Sequence, residues 1–425
     1  MGLLHDGAMA KKRQTIRDHD VQGLKYFKKF LPLLDRLHDA GTARDTAGNR
    51  VLHLDQYLAL QLVFFFNPIV TSMRGLVQAS ALKKVQRELG VAPTSLGSFS
   101  EAASVFDAEL IKPIIAELGD QLQPLKHDAR LDDLPGKLTA VDGTELSALA
   151  ALTDRMIDPA RGRAIKLHTH FEPLTGVPVD IDVTGAKASE IANLKKRLLP
   201  DRVYVKDRGY ACFDLLQAII DIGSHFVCRM RDNSVYEPIA PGSDPGSDPG
   251  SDPGSDRPLS DEAKAAGILS DQVVWLGCAS KRDELKQPLR LIKIACTPHR
   301  KRDPGGGSGG DSGGGPAQGE YLLIATDMLD LPAEVIALIY RKRWTIELFF
   351  RFFKHVLGCR HLLSHRKNGI EIQVYCAIIV SMLLALWTGR KPTLRTIEMI
   401  RFYFTGWADL DELEAHLAKL PMLDA

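Results

Sequence analysis

The chain has few cysteines for its length, and no two of them form a Cys-x-x-Cys pair. Its six cysteines are scattered from Cys212 to Cys376, which excludes a disulfide scaffold and a cysteine zinc site. The N-terminal residues contain no apolar segment of signal-peptide type. The most apolar run, 370–387, is interrupted by Glu371 and Gln373 and therefore predicts a core helix rather than a membrane span. We expect a soluble, cytoplasmic protein with no membrane partner.

An excess of charge of one sign is also missing. The sequence has 54 Lys and Arg against 53 Asp and Glu, a net charge of +1. This balance excludes a uniformly basic, histone-like chain. It does not exclude a local basic surface, because the net charge does not show how the charged residues are arranged. Hydrophobic residues make up 45% of the 425 residues, which excludes a disordered chain and is typical of a globular protein of more than one domain.

The apolar periodicity divides the chain into a helical part and an α/β part. Apolar residues at three-to-four spacing predict helices through residues 1–130, including one continuous helix over 101–118 capped by Ser98 or Ser100. From about Lys137 onward, short β-type runs come first and then alternate with helices, which predicts a mixed sheet. The predicted strands are 138–141, 165–171, 177–183, 203–205, 273–276, 289–295 and 321–325, and the predicted helices are 190–199 and 213–222.

Two low-complexity stretches interrupt the α/β part. Residues 241–256 read PGSD four times, and residues 305–315 read GGGSGGDSGGG. Neither stretch can bury apolar area, so both predict flexible loops around a β-rich insertion. The expected domains are 1–130, a core in two halves at 131–232 and 321–390, the insertion at 233–320, and a C-terminal helical segment at 391–425.

The densest chemical signal is a basic and aromatic helical segment that holds a single acid. Eight Lys or Arg residues and only Glu347 as an acid lie between Arg341 and Lys367. At about 100° per residue, one helical face carries Tyr340, Arg343, Trp344, Glu347, Arg351 and Lys354. The buried opposite face should consist of Ile346, Leu348, Phe349, Phe352, Phe353 and Val356. A solvated helix with Glu347 paired to neighbouring arginines is the plain alternative. The excess of cations favours a phosphodiester site instead.

Two further carboxylates follow β-type runs. Asp142 ends one run within Val-Asp-Gly-Thr, and Asp207 ends another within Asp-Arg-Gly-Tyr. Taken singly, each aspartate is typical of a turn. The separations of 65 residues (207 − 142) and 140 residues (347 − 207) leave room for intervening strands and then for the insertion.

The order of the three motifs resembles the DDE transposases of bacterial insertion sequences, specifically family four. That family's Tyr-x2-Arg-x3-Glu-x6-Lys signature is met by Tyr340, Arg343, Glu347 and Lys354. The motifs around Asp142 and Asp207 are similar to its first and second acid motifs, and Lys166-Leu-His and Leu174-Thr-Gly are similar to its intervening strands. The resemblance covers about residues 137–230 and 320–388. It implies an α/β fold with a ribonuclease-H-like mixed sheet flanked by helices, a β-rich insertion and an N-terminal helical domain.

The resemblance implies cut-and-paste transposition through a DNA hairpin. Asp142, Asp207 and Glu347 would be the catalytic residues and would bind two Mg²⁺ ions, with Mn²⁺ as a substitute. DNA would be bound by Tyr340, Arg343, Trp344, Arg351, Lys354 and Arg208. Trp344 would either stack on a terminal base or lie buried between helix and sheet. The implied partners are the element's terminal inverted repeats, bound by the N-terminal domain, target DNA and a second copy of the chain, at the bacterial nucleoid.

Three other functions remain open at this point. A ribonuclease-H-like nuclease or resolvase would cleave DNA without rejoining it, and inverted repeats flanking the reading frame would argue against it. A catalytically dead, host-adopted DNA-binding protein is a second alternative, although all three acids are present. Hydrolysis of sugars by paired carboxylates explains neither the basic helix nor Lys354.

Overall fold

The structure is a computed structural model that describes most of the chain. The described residues are 31–40, 45–67, 70–122, 128–146, 165–185, 187–239, 257–278, 280, 283–296, 321–356, 363–364, 366–388, 393–404 and 407–420. The loops predicted at 241–256 and 305–315 lie outside the described residues, as do the first 30 residues of the predicted N-terminal domain.

The first of two compact units combines residues 1–122 with 356–423 and is called the helical unit. Its described helices are α1 Leu31–Asp35, α2 Leu37–Ala40, α3 Leu54–Phe66, α4 Met73–Ser80, α5 Lys83–Leu89, α6 Leu96–Val105, α7 Lys112–Gln121, and then, numbered after the helices of the sheet unit, α13 Lys367–Thr388, α14 Leu394–Phe404 and α15 Leu410–Ala418. The boundary expected at residue 390 differs from this division, which groups 356–423 with the N-terminal helices.

Helix α13 is the core helix of the helical unit. By length and composition residues 367–386 could cross a membrane, but 83% of their apolar window is buried inside the protein. The helix packs against α3, α6 and α7. At its start the Asn368 amide donates to the carbonyl oxygens of Ala103 at 2.9 Å and Phe106 at 2.6 Å. These bonds satisfy carbonyl groups where α6 ends.

The continuous helix predicted over 101–118 is wrong. Ser95 caps α6 by accepting a hydrogen bond from the Ser98 N–H at 3.0 Å, and α6 ends at Val105. Asp107 then caps a separate 3-10 turn, and α7 begins with a proline in its first turn. A side chain that caps a new turn competes with continuation of the helix, so the apolar spacing alone did not reveal the break.

The second unit, residues 123–355, is the sheet unit. Its strands are β1 Lys137–Leu146, β2 Ile165–Glu172, β3 Val177–Gly185, β4 Arg202–Lys206, β5 His225–Arg229, β6 Tyr236–Pro238, β7 Ile268–Leu276, β8 Leu289–Ala295 and β9 Tyr321–Thr326. Its helices are α8 Glu190–Lys196, α9 Phe213–Asp221, α10 Asp261–Ala265, α11 Ala333–Lys342 and α12 Trp344–Val356. Strand β5 is absent from the sequence prediction. The Leu174-Thr-Gly motif is also misplaced, because it forms the turn between β2 and β3, where Gly176 has φ of 76°.

The nine strands form one mixed sheet in the order β3-β2-β1-β4-β5-β9-β8-β7-β6. Strand β1 is antiparallel to β2 and parallel to β4, and β4 is parallel to β5. This half of the sheet has the ribonuclease-H-like arrangement, so the predicted fold class is confirmed. The strands of the β-rich insertion, β6 to β8, continue the same sheet beyond β9.

Candidate active site

Two acids lie at the same level on neighbouring parallel strands. The β1–β4 register pairs Lys137 with Arg202 and Ala140 with Val205, an offset of 65 residues (202 − 137). Carried two residues further, the same offset places Asp142 beside Asp207. The two side chains should therefore point to the same face, from strands about 4.8 Å apart. Asp207 comes directly after β4 and accepts a hydrogen bond from the Gly209 N–H at 2.8 Å.

Asp142 lies inside β1, whereas the sequence pattern predicted that it ends the strand. Strand β1 runs on to Leu146 because it stays paired with β2 from Ala140 to Leu146, whereas the pairing with β4 covers only 137–140. Asp142 therefore lies within a strand at the point where its other neighbour has ended. The side of Asp142 that faces away from β2 is therefore next to Asp207, which follows β4, and to Arg343, which lies between α11 and α12.

Burial is the main influence on Asp142. Burial, together with the nearby carboxylates of Asp207 and Glu190, raises the pKa of that carboxyl to about 7. A hydrogen bond from the Gly143 N–H at 2.8 Å and the guanidinium of Arg343 act in the opposite direction. Asp142 is thus a carboxyl that the protein leaves short of positive charge.

Helices α11 and α12 lie on the face of the sheet to which Asp142 points. Phe171 is paired with Ala140, which shares a face with Asp142, and its ring packs on that of Phe349 in α12 at 5.1 Å. The buried stripe of α12 is formed by Ile346, Phe349, Phe350 and Phe353. Leu348 is 37% exposed, so its expected burial is wrong: it lies about 200° around the helix from Ile346.

Arg343 connects the helices to the acids. The helix expected to run through Tyr340 and Lys354 is divided at Arg343, where α11 ends and α12 begins. Arg343 keeps right-handed helical angles, but its N–H donates to the Tyr340 carbonyl oxygen in a tighter turn. The Arg343 side chain, 15% exposed, donates from Nη2 to Oε1 of Glu347 at 2.8 Å. The same guanidinium lies close enough to Asp142 to lower that residue's pKa. One arginine is therefore shared between the first and the third of the predicted acids.

Tyr340 lies beside the second acid. Burial raises the pKa of its hydroxyl, and Arg343, Arg229 and Asp207 are the charged groups that surround it. The Arg343 guanidinium lies 5.8 Å from the centre of the Tyr340 ring. The tyrosine is half-buried between cations and a carboxylate, where its hydroxyl can donate to an acceptor such as a phosphate oxygen.

The remaining predicted DNA-binding residues lie at the surface. Trp344 is 49% exposed, so the alternative of a tryptophan buried between helix and sheet is wrong. Arg208 and Arg351 are exposed, and Lys354 is half-buried. All four are accessible to a polyanion.

Sequence reasoning missed Arg229 and Glu190. Extending the β4–β5 register, which pairs Lys206 with Cys228, places Arg229 beside Asp207 at the carboxyl end of β5. Its Nε is buried and has no hydrogen-bond partner among the described residues. The signal was present as His-Phe-Val-Cys-Arg after Gly223, a short β-type run ending in a cation.

Glu190 reaches the site from the opposite face of the sheet. It is the first residue of α8, and a Cβ placed on Gly143 would lie only 2.8 Å from its carboxyl group. Glu190 accepts a hydrogen bond from Nζ of Lys166 at 2.9 Å. Only a glycine permits this approach, and nothing in the sequence motif around Asp142 indicated a fourth carboxylate.

A divalent cation fits part of this donor set. Asp142 and Asp207 are adjacent carboxylates whose mutual repulsion a hard cation would relieve. Glu347 is bonded to Arg343 instead. Within the described residues, no three His, Cys, Asp or Glu side chains are grouped so that they could hold a metal ion together.

Comparisons with known proteins point to one family. Residues 134–383 match the family model described as the transposase DDE domain. The chain is 26% identical over 245 residues to a putative transposase, y4zB, of Sinorhizobium fredii, covering 57% of this chain and 58% of that protein. It is 23% identical over 258 residues to a probable transposase for insertion sequence element IS5377 of Geobacillus stearothermophilus, covering 58% of this chain and 57% of that protein. The chain thus matches somewhat over half the length of these curated relatives.

A comparison with solved structures matched the cryo-EM structure of a piggyBac transposase synaptic complex with hairpin DNA. The TM-score is 0.36 at 10% sequence identity, with 93% of this chain and 83% of that chain covered.

Proposed function

The chain belongs to the transposase DDE domain family, and on that premise we propose that it is a transposase that cuts the ends of an insertion sequence and joins them to target DNA. The observation that carries the proposal is the grouping of two acids and one arginine. Asp142 and Asp207 share one level of parallel strands, and Arg343 reaches from Asp142 to Glu347. Acids beside cations on one face are suited to a phosphodiester. We further propose membership of family four from the Tyr-x2-Arg-x3-Glu-x6-Lys spacing.

Asp142, Asp207 and Glu347 would hold the catalytic metal, which we propose to be two Mg²⁺ ions for which Mn²⁺ can substitute. When bound, the metal supplies an activated nucleophile and stabilises the departing 3′ oxygen. Asp142 must lose its proton to act as a ligand, and a bound cation would favour that loss against the burial that raises the pKa of this carboxyl. Glu347 would have to exchange its bond with Arg343 for the new ligand position. Arg343 would then be free for a phosphate.

The cations and aromatic residues around the acids would hold the DNA backbone. Arg343 has a planar fork that suits two phosphate oxygens, whereas Lys354 acts as a point charge. Tyr340 would donate its hydroxyl to a phosphate, with Arg229 beside it. Trp344 is exposed enough to stack on an unpaired base. Arg351 and Arg208 would make outer phosphate contacts.

The partners follow from the chemistry of cutting two ends together. We propose that terminal inverted repeats and target DNA are the substrates and that two copies of the chain act in one complex. Residues 1–130 would bind the element's ends. Exposed Lys83 and Arg87 provide basic surface there. Such a protein would work in the bacterial cytoplasm on the nucleoid.

The test is cleavage of DNA taken from the sequences that flank the reading frame. With Mg²⁺ present, we expect nicks at the ends of flanking inverted repeats and then hairpin products. With a chelator present, we expect none. Cleavage that persists in Asp142→Ala or Glu347→Ala protein would rule out the proposed site.

The same assay separates the transposase from a nuclease or resolvase. Joining of the cut ends to a second DNA molecule supports the transposase, and cleavage without any joined product supports the nuclease. Binding without cleavage by the wild-type protein supports a catalytically inactive DNA-binding protein.

A further inference from the structure

A short loop positions the helix that carries Tyr340. The loop comprises residues 327–332, connects β9 to α11, and is called the pre-helix loop. Pro332 is the residue from which α11 starts, and Tyr340 follows eight residues later (340 − 332). At about 1.5 Å per residue, the tyrosine lies about 12 Å along the helix from the loop. The loop thus begins the helix whose other end carries Tyr340 beside Asp207 and Arg343.

The insertion contributes a buried ion pair next to this loop. Asp271 of β7 and Arg290 of β8 have side chains that are 5% and 4% exposed. Arg290 donates from Nε to one carboxylate oxygen at 2.8 Å and from Nη2 to the other at 2.6 Å. This two-pronged geometry satisfies the carboxylate and uses two of the three nitrogens of the guanidinium.

The third nitrogen of Arg290 reaches the pre-helix loop. Nη1 donates to the carbonyl oxygen of Leu329 at 3.3 Å and to that of Leu331. Arg257, also from the insertion, donates from its Nη1 to the same Leu329 oxygen at 2.6 Å. Two arginines of the insertion thus converge on the carbonyl groups immediately before Pro332.

The core half of the sheet holds the other end of the loop. Asp327 accepts a hydrogen bond from the backbone N–H of Phe226 at 2.9 Å, and its second oxygen lies 2.7 Å from Nδ1 of His225. Both partners belong to β5, the strand that ends at Arg229. The pre-helix loop is therefore fixed by the core at Asp327 and by the insertion at Leu329 and Leu331.

A buried ion pair is not by itself a source of stability. The free energy needed to remove two charges from water offsets most of their attraction, and apolar replacements are often equally stable. An apolar pair would, however, leave the Leu329 and Leu331 carbonyl groups without the Arg290 donor. The bonds from Arg290 to the loop are the feature that an apolar pair cannot reproduce.

We propose that Asp271 and Arg290 are positioning residues that use the insertion to hold α11, and with it Tyr340 and Arg343, against the catalytic acids. Asp271 orients the guanidinium, and Arg290 fixes the loop carbonyls. The insertion is thereby coupled to the chemistry even though neither residue touches the acids or the DNA. This inference rests on the proposed transposase function.

The decisive variant is the double substitution Asp271→Leu with Arg290→Met. It keeps the site filled with apolar atoms, so the fold should survive, while all four Arg290 bonds disappear. The matched control is Asp180→Leu with Arg197→Met, which removes the Arg197–Asp180 pair of the β3 edge, far from α11 in strand order. The conservative variant Arg290→Lys retains the charge beside Asp271 but loses the planar fork.

Three measurements are made on the full chain. Hydrogen exchange of peptides spanning 327–340 reports how firmly the loop is held. We expect exchange there to rise about tenfold or more in the double variant and less in Arg290→Lys. The single-turnover rate of DNA cleavage should fall about 100-fold in the double variant, because misplacement by about 1 Å has effects of that size. The Kd for DNA should rise by a smaller factor than the rate falls, because Tyr340 and Arg343 are only part of the proposed DNA surface. The control pair should change neither the exchange at 327–340 nor the cleavage rate.

The outcomes separate this inference from the proposed function. Unchanged exchange at 327–340 in the double variant would overturn the positioning role, as would cleavage at the wild-type rate. An equal loss in the control pair would also overturn it, since the effect would then be general. If the wild-type protein cleaves no DNA at all, the proposed function fails, and the exchange measurement still decides whether the insertion holds α11.

Discussion

Asp142 and Asp271 are carboxylates of the same sheet, but the protein treats their charges in opposite ways. Asp271 is buried and receives both prongs of Arg290, so its charge is satisfied within the chain. Asp142 receives one backbone N–H, has Asp207 and Glu190 nearby, and has a pKa of about 7. A carboxylate that the fold neutralises has a structural role, whereas one left short of positive charge is a candidate ligand for a metal ion, which is the role we propose for Asp142.

The largest effect expected from this difference is on catalysis. Asp142→Asn keeps the shape of the side chain and removes its charge, so DNA cleavage should fall on the order of 10⁴-fold. The protein should remain folded, because the fold does not depend on that charge. Rates of cleavage and circular dichroism spectra of the variant would check both expectations.

The matched control for Asp142→Asn is Asp182→Asn. Asp182 lies on β3 and accepts a hydrogen bond from the Asn193 amide at 2.5 Å, outside the group of acids. The control should cleave DNA at close to the wild-type rate. An equal loss of cleavage in the two variants would mean that removing any carboxylate from this sheet impairs activity. Asp142 would then have no special role.

The three acids stand out in the sequence because motif spacing is a local pattern. The catalytic role of Asp142, Asp207 and Glu347 stays a prediction. The predicted bounds of β8 and the first residues of α8, α9 and β9 agree with the structure. The break at Arg343 was not predictable from a helical wheel, which assumes a regular helix throughout.

Contacts made in three dimensions account for the other failures. Glu190 is near Asp142 only because α8 packs over Gly143, and Arg229 is near Asp207 only because β5 pairs with β4. The bond from Arg290 to the pre-helix loop joins residues about 40 positions apart through the sheet order β9-β8-β7. The spacing of apolar residues and the amino-acid composition carry no information on contacts between residues so far apart in the sequence.

The second prediction concerns the satisfied carboxylate. Asp271→Ala leaves the Arg290 charge buried without its partner, which should lower the free energy of unfolding by about 3–5 kcal/mol. Urea denaturation would measure the change. Asp214→Ala is the control, because its pair with Lys195 is exposed and should contribute at most about 1 kcal/mol. Similar losses in both variants would contradict the distinction between buried and exposed pairs.

The third prediction is a pH dependence with the opposite sign to that of most aspartates. The pKa of Asp142 is about 7 in the folded state and 3.8 in the unfolded state, so the folded state holds the proton more tightly. Stability should therefore fall as the pH rises from about 4 to about 7. Asp142→Asn should remove this loss and raise the free energy of unfolding at pH 8 by about 2–4 kcal/mol. At pH 4 the two proteins should be equally stable.

Addition of a divalent cation is a second test of whether Asp142 lacks a positive partner. At pH 8, Mg²⁺ should raise the Tm of the wild-type protein, because a ligand that binds only the folded state stabilises it. The shift should be much smaller in Asp142→Asn. If Mg²⁺ raises the Tm of both proteins equally, the ion binds elsewhere and Asp142 is not its ligand.

The smallest effect is expected where a charge has no structural role at all. Arg351 is exposed on α12, one turn beyond Glu347, so Arg351→Gln should change the free energy of unfolding by less than about 0.5 kcal/mol. If Arg351 contacts a phosphate, the slope of log K for DNA against log salt should become less steep by about 1. Arg130→Gln is the matched control, since Arg130 is also exposed in the sheet unit but is occupied by Asp128 at 2.8 Å. An unchanged slope for Arg351→Gln would show that exposure beside the acids is not enough to bind DNA. A changed slope for Arg351→Gln and an unchanged one for Arg130→Gln would show that a cation already paired with a carboxylate does not bind DNA, whereas one left exposed beside the acids does.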